Sequence, residues 1–532
     1  MTAVTSPALR SETRFGTRRM ACFHPRRPTL DAMIRAAVDA GPDHTALVCG
    51  DTRLSFAALD RAISACAAAL IGHGLSRGDR VAILLENTPE FMIATLGAIR
   101  AGCVAVPMNV RQAPRETAYI LSQCGAAVLV CEATNATPVP APVDMPGIRL
   151  TLTAKDGGFA RFCDAADPDT VFPETAEEDC VCLLYTSGTT GRPKGARLTN
   201  LGMVHSTMGF HTTFSLTEKD VAILAVPGSH VTGLLAILFT MVTCGGTSVL
   251  MNRFTAREFL QLAEREGMSY TLMVPAMYNL CLLDPDLRGF DLTRWRIAGF
   301  GGAPMPPSSI AKMAEVLPGA ALCNAYGATE TTSPASILPP GLFRDHPRSV
   351  GLPLPYADIR VVGEGDRPQP PGEVGEILIG GPMVVAGYWD NPEADAKEFD
   401  AEGRWRSGDL GYYDAEGFLH VVDRRKDIVN RGGYKIYCIE VESILQQFDG
   451  VLEAAVVAAP DPVLGEKVVA FIHTAGATID LEALRAHARA NLSSYKVLDR
   501  VILSDDPLPR NANGKIVKAD LRDRLPADAA TA

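Results

Sequence analysis

An eleven-residue stretch, Tyr185-Thr186-Ser187-Gly188-Thr189-Thr190-Gly191-Arg192-Pro193-Lys194-Gly195, follows the apolar run Cys180-Val181-Cys182-Leu183-Leu184. The run reads as a buried strand, and the stretch after it is equipped to hold phosphate. Glycine lets the backbone come close to an anion, and successive N–H groups converge on it. Thr186, Ser187, Thr189 and Thr190 add hydroxyls, and Lys194 adds a positive charge. The Gly-Lys-Ser/Thr ending of the common nucleotide P-loop is absent. The plainer alternative is a Gly/Thr surface loop.

Asn324-Ala325-Tyr326-Gly327-Ala328-Thr329-Glu330-Thr331 is a second cluster with chemistry in it. Nucleotide chemistry needs a flat partner for adenine, an acceptor for its amine and a carboxylate for magnesium. Tyr326, Asn324 and Glu330 supply these close together in sequence. Magnesium takes one or two protein carboxylates plus phosphate oxygens, so a single glutamate suffices. In Arg406-Ser407-Gly408-Asp409-Leu410-Gly411, Asp409 can accept from two vicinal hydroxyls in a fork, or can be a turn residue. His230, in Pro227-Gly228-Ser229-His230-Val231-Thr232-Gly233, is a single histidine of the kind that is more often structural. Lys515, in Pro509-Arg510-Asn511-Ala512-Asn513-Gly514-Lys515-Ile516, would ordinarily be a solvated turn residue.

These residues need a scaffold, and the chain alternates strand and helix signals. Arg80–Leu85, Val104–Pro107 and Ala126–Val130 read as strands, with a helix from Pro89 to Arg100 closed by Gly102. The pattern resumes after residue 220: strands from Val221, Thr247 and Tyr270, a buried helix Leu234–Val242, and a helix Ala256–Glu266. Such alternation predicts an α/β architecture with a largely parallel sheet. Short hairpin-like strands follow the Gly/Pro-rich residues 363–375. Past residue 423 a small α+β domain is expected, with a helix capped by Asp480. The resulting division is 1–28 as a disordered tail, 29–423 as the main domain and 424–532 as the small domain. The tail's Arg10, Arg14, Arg18 and Arg19 also fit a transit peptide, but there is no apolar h-region.

At 532 residues the chain calls for more than one domain. A net charge of -11 without a long basic run argues against a nucleic-acid partner. Thirteen scattered cysteines with no CxxC pair fit reduced thiols in the cytoplasm better than a disulfide framework or zinc site. No run is long and apolar enough to predict a membrane span.

Taken together, the phosphate stretch and the other motifs, in order, closely resemble the adenylate-forming (AMP-dependent synthetase/ligase) superfamily over about residues 30–525. That superfamily includes acyl-CoA synthetases, aryl-CoA ligases, luciferases and peptide-synthetase adenylation domains. The resemblance implies a large N-terminal domain of layered α/β subdomains and a small mobile C-terminal lid. It implies ATP, Mg2+ and coenzyme A as co-substrate, with acyl-AMP as intermediate. By the same resemblance Thr186, Ser187, Gly188, Thr189, Thr190, Gly191 and Lys194 hold phosphate. Gly302 and Ala303, in Gly301-Gly302-Ala303-Pro304, line adenine with Asn324, Tyr326 and Gly327. Thr329 contacts the α-phosphate, Glu330 holds the metal, and Asp409 and Arg424 bind ribose or phosphate. Lys426 becomes the hinge, and Gly432, Gly433 and Lys435 the loop that serves coenzyme A. Lys515 becomes the catalytic lysine of adenylation. A carboxylate must attack a polyphosphate, and a lysine bridging the two offsets their repulsion. The family usually has proline where this chain has Cys438, a loss of rigidity that predicts a looser loop.

The acid pocket implied by the resemblance uses His230, Thr232, Ala236, Gly299, Ala325 and Pro334, all uncharged apart from His230. Phe300 or Met305 would shorten it. Ligases for dicarboxylic acids typically offer an arginine after the Val274-Pro275 strand end. Tyr278-Asn279-Leu280-Cys281-Leu282 stands there instead. The expected substrate is therefore an uncharged, apolar acid of medium length or bearing a ring. Loading of a carrier-protein thiol, luciferin oxidation and an inactive nucleotide-binding module remain alternatives, and a homodimer is an open assembly. An amino-acid adenylation domain would place an aspartate near His230, and none is there.

Overall fold

The structure, a computed structural model, describes residues 7–133, 139–187, 192–303, 305, 307–511 and 515–525. Six strands form the first sheet, in the order Pro193–Thr199, Cys180–Ser187, Val104–Pro107, Arg80–Leu84, Ala126–Cys131, Leu150–Thr153. All neighbours are parallel except the first pair. The second sheet has nine strands. Its parallel middle runs Ala321–Tyr326, Ile297–Gly301, Tyr270–Met273, Val221–Leu224, Thr247–Leu250, Thr45–Cys49, with antiparallel strands added at both ends.

Helices Pro89–Arg100 and Phe56–Gly72 pack on each other between these sheets, one against each. One hydrophobic core therefore joins Val81 and Ile83 of the first sheet, Phe91 of the helix layer, and Leu224 and Leu272 of the second. Pro at the first turn and the Thr88 hydroxyl on the Phe91 N–H start the helix Pro89–Arg100. The buried segment expected at Leu234–Val242 is wound as a π-helix over Thr232–Phe239 before continuing as the α-helix Thr240–Cys244. Tyr270 Oη and Thr240 Oγ1 donate to the Ala236 and Leu235 carbonyls along it.

A four-stranded antiparallel sheet, Asp358–Val362, Gly375–Gly380, Trp405–Tyr413 and Leu419–Arg424, follows. The last part of the chain builds its own five-stranded sheet and its own core around Val429, Val441, Val456 and Leu484. Asp480 caps the helix Leu481–Asn491 as expected, accepting from the N–H groups of Glu482 and Ala483.

The reading of residues 1–28 as a disordered tail is corrected for residues 7–28, residues 1–6 lying outside the described residues. Ala8–Arg14 pairs antiparallel with Arg18–His24. Phe23 is fully buried, and its N–H donates to His205 Nε2 at 3.0 Å. Arg26 is paired with Glu12 at 2.8 Å and Glu177 at 2.7 Å. Of the arginines that make this segment look like a tail, Arg14 pairs with the distant Glu177 at 2.6 Å, and local composition carries no sign of that partner or of the seat Phe23 finds at His205.

Candidate active site

The chemistry gathers where several strands of the two large sheets end. Cys180–Ser187 delivers Thr186, Ile297–Gly301 leads into Gly302, and Ala321–Tyr326 carries Asn324 and Tyr326 before the turn Thr329–Thr331 presents Glu330. The C-terminal edge of a parallel sheet is the usual place for a ligand crevice. Gly188, Thr189, Thr190 and Gly191 lie outside the described residues, as do Pro304, Ala512, Asn513 and Gly514. Ser187 closes its strand.

Thr186 Oγ1 donates to Glu330 Oε1 at 3.1 Å, which brings the phosphate stretch and the tyrosine-glutamate cluster together across 144 residues. Glu330 is only 7 % exposed, and Thr329 beside it is equally buried. Gly327 has no room for a side chain: a Cβ there would meet Thr331 Oγ1 at 3.1 Å and the Ala335 nitrogen at 3.2 Å. Among the described residues no cluster of three or more His, Cys, Asp or Glu could hold a metal. A single hard carboxylate suits magnesium, which completes its shell with phosphate oxygens and water.

A second knot of contacts surrounds Asp409. Tyr326 Oη donates to Asp409 Oδ2 at 2.8 Å, and Arg424 Nε lies 3.2 Å from Oδ1. The Asp409 N–H donates to Ser407 Oγ at 3.0 Å, and that hydroxyl donates to the Ile377 carbonyl at 2.7 Å. Ser407 thus anchors the stretch of the strand Trp405–Tyr413 that carries the aspartate. A carboxylate has about four lone-pair positions, so the two oxygens can still accept from ribose hydroxyls. Burial and then Asp409 push the Tyr326 hydroxyl well above its ordinary range, while Asp409 is the first cause raising Arg424. Asn324 Nδ2 donates to the Ser349 carbonyl at 3.1 Å, which leaves Oδ1 as its acceptor.

Lys515 arrives from the small domain. It stands over Gly302, its Cε 3.8 Å from where a Cβ on that glycine would lie. Its ammonium pKa is lowered, first by crowding within the cleft and then by Arg424, against the opposite pull of Asp409 and Glu330. The residue nevertheless keeps solvent access, as a lysine in an open cleft would. Lys515 is also felt by His230, whose pKa falls to about 3 through burial first and the lysine second. Thr232 N–H donates to His230 Nδ1 at 3.3 Å, so the neutral ring carries its proton on Nε2.

Other expected residues sit differently. Lys194, expected to lend its charge to phosphate, is buried and ion-paired with Glu398, its Nζ 4.3 Å from the centroid of the Tyr388 ring. In the expected acid pocket, Thr232 stands half-buried beside His230, whereas Ala236, Ala325 and Pro334 are buried. A Cβ on Gly299 would meet the Thr271 carbonyl at 3.0 Å, so that side belongs to the strand interface. Tyr278 closes over the same glycine, Oη to Gly299 O at 2.7 Å. Gly302 and Ala303 lie exposed at the edge of the cleft, with Gly302 at φ +77. Lys426 occupies an exposed turn between Leu419–Arg424 and Val429–Arg431. Gly432, Gly433 and Lys435 form an exposed hairpin whose described contacts stay in the small domain: Gly432 N–H to Leu464 O at 2.7 Å, and Tyr434 stacked on Tyr495. The lysine motif, and not this hairpin, therefore faces Gly302, Asp409 and Glu330.

Tyr388 and Glu398 escaped sequence reasoning. Tyr388 Oη lies 3.1 Å from Glu330 Oε1 and 2.6 Å from Glu398 Oε2. Nothing in their local sequence signals a link to residues near 190 and 330.

Known proteins match this arrangement closely. The AMP-binding enzyme profile covers residues 34–389, and the profile of its C-terminal domain covers 440–515. A feruloyl-CoA synthase from an Amycolatopsis species is 35% identical over 91% of this chain and 96% of its own. An oxalate–CoA ligase from Arabidopsis thaliana is 32% identical over 92% and 97%. The o-succinylbenzoate CoA synthetase of Bacillus subtilis, solved with its acyl-adenylate intermediate, superposes with a TM-score of 0.84 at 29% identity, covering 94% of this chain and 99% of that one. With both domain profiles matched in order and the motif residues converging in one cleft, the chain belongs to the AMP-binding enzyme family, the acyl-CoA-synthetase-like branch of the adenylate-forming superfamily.

Proposed function

We propose that this protein activates an uncharged, apolar carboxylic acid with ATP and passes the acyl group to coenzyme A. In the first step the acid's carboxylate attacks the α-phosphate, giving acyl-AMP and pyrophosphate. In the second a thiol attacks the mixed anhydride and AMP leaves. The observation that carries this reading is the position of Lys515 above Gly302, between the acids Glu330 and Asp409 and the His230 side of the cleft. There its charge offsets the repulsion between two anions and stabilises the transition state. Asp409 and Arg424 orient the ribose end, Tyr326 lies along adenine, and Asn324 accepts from its amine. Glu330 is the residue to hold Mg2+, which when bound neutralises phosphate charge. Turning the small domain about Lys426 would withdraw Lys515 and admit the Gly432-Gly433 loop with Lys435 for the thiol step.

The substrate reading rests on charge. His230 is held neutral and can donate a hydrogen bond, but offers no cation. The helix Pro275–Leu282 has no basic residue. A second carboxylate would then be buried without a partner, at a cost of several kcal/mol. A ring or a medium-length chain fits these walls, and the feruloyl-CoA relative acts on a ring-bearing acyl group. The free thiols fit a cytoplasmic enzyme.

The test is ATP–pyrophosphate exchange with acetate, hexanoate, decanoate, palmitate, benzoate, cinnamate, malonate and oxalate, followed by turnover with coenzyme A or a carrier protein. Acid-dependent exchange and coenzyme A turnover are expected, with highest kcat/KM on cinnamate, benzoate or a medium-chain acid. Exchange that ignores every acid overturns the enzyme reading. Preference for malonate or oxalate overturns the substrate, and turnover only with the carrier protein overturns the acceptor.

A further inference from the structure

Glu330 is held from behind by more than the phosphate stretch. Thr186 Oγ1 and Tyr388 Oη both lie 3.1 Å from the same oxygen, Oε1. Among the described residues Oε2 receives no hydrogen bond, so it is the oxygen left to turn toward a cation. Behind Tyr388 stands Glu398, with Oε2 2.6 Å from the tyrosine Oη and Oε1 ion-paired with Lys194. The Lys194 ammonium also faces the Tyr388 ring. Tyr388 is 2 % and Lys194 9 % exposed, so water does not compete freely here.

A tyrosine hydroxyl has one proton and sits here between two carboxylates. It can serve only one of them at a time. The ammonium beside Glu398 weakens that carboxylate's hold on the proton and so leaves Tyr388 able to support Glu330. Side chains behind a metal ligand fix its direction, and losing one typically costs about 10–100-fold in metal affinity or activity.

We propose that Tyr388, Glu398 and Lys194 are positioning residues for Glu330, with Lys194 acting through Glu398 and not on phosphate. The proposal rests on the reading of Glu330 as the cation's carboxylate. It gives a use to the lysine of the phosphate stretch that its position in the sequence does not suggest, and it assigns Glu398 a role.

The test reads cation binding directly. Mn2+ is titrated into the full chain with a non-hydrolysable ATP analogue and followed by electron paramagnetic resonance. Tyr388→Phe keeps the ring beneath Lys194 and removes only the hydroxyl. It should weaken Mn2+ binding by about 10-fold or more, raise the Mg2+ concentration needed for exchange, and leave kcat recoverable at saturating Mg2+. Glu398→Gln should act in the same direction. Lys194→Met should weaken binding in the unaltered chain yet add nothing further in the Glu398→Gln background. Unchanged Mn2+ affinity in Tyr388→Phe overturns the proposal. So do Lys194→Met and Glu398→Gln losses that multiply, because Lys194 would then act on its own. If Lys194→Met does not fold, Tyr388→Phe decides alone. Glu330→Gln with undiminished Mn2+ binding would overturn the assignment of Glu330 itself, whereas acid-dependent exchange by the unaltered enzyme tests the wider function separately.

Discussion

Lys515 and Gly302 meet across the two domains: the lysine Cε stands 3.8 Å from the point where a side chain on the glycine would begin. A Cβ there would make only an ordinary van der Waals contact with the lysine, so it is the glycine's φ of +77, a left-handed conformation, that calls for glycine at this edge of the cleft. Lys515→Ala should therefore abolish acyl-AMP formation, by well beyond ~10-fold in kcat or ~1.4 kcal/mol of barrier. Thioester formation from supplied acyl-AMP should survive, because in the proposed cycle the lysine is withdrawn for that step. Single-turnover assays of each half read this out, and equal loss in both halves would make Lys515 structural.

Lys426 lies in an exposed turn joining the last strand of the antiparallel sheet to the small domain. Proline fixes φ near -65°, so Lys426→Pro should hold one domain arrangement. We expect one half-reaction to persist and the other to collapse. Unaltered overall turnover would mean that rotation occurs elsewhere.

Cys438 does more than replace a rigid residue. It opens the helix Cys438–Leu445, and its N–H donates to Asp423, a carboxylate that is 1 % exposed and raised to about 6 chiefly by burial. Proline is normally harmless at a helix start because that N–H has no partner. Here the N–H has one, so the looser loop expected from the sequence is instead tied back. Cys438→Pro should cost about 1–3 kcal/mol in denaturant unfolding of the small domain, the usual penalty for stranding a buried acceptor. Cys438→Ala keeps the N–H and should cost less, and the reverse order would rule out the hydrogen bond as the reason.

Three histidines remain neutral in the fold. Burial lowers His205 and His230 to about 3 and His211 to about 4. His205 is locked by a Phe23 N–H on Nε2 and the Leu201 carbonyl on Nδ1. The unfolded chain protonates these rings near pH 6.5 while the folded chain does not, so their contribution is present above that pH and lost as pH falls toward 3–4. Each gives a slope of about 1.4 kcal/mol per pH unit across that window. Asp423 opposes them between pH 6 and about 4, because its raised pKa binds a proton in the fold first. Stability should fall from pH 6.5 to 5, and His205→Gln should flatten the slope. A profile that is flat there in the unaltered protein would refute the buried neutral rings. Exchange activity should show no acid limb from His230 in the same range.

The motifs were legible in the sequence because each packs its chemistry into a few consecutive residues: a glycine-hydroxyl run after a strand, a tyrosine near a glutamate, an aspartate flanked by glycines. Alternating hydrophobic segments made the α/β layers legible for the same reason, since backbone periodicity is local. The tertiary structure alone decided what those segments meet. It turned an arginine-rich tail into a hairpin held by Glu177 and His205, directed Lys194 to Glu398, and set Tyr388 between two carboxylates. It also showed that Lys515, not Gly432 or Gly433, faces Gly302, Asp409 and Glu330. These contacts join residues separated by up to 213 positions and depend on buried geometry and on which charges share a desolvated space. No local pattern of residue types carries that information.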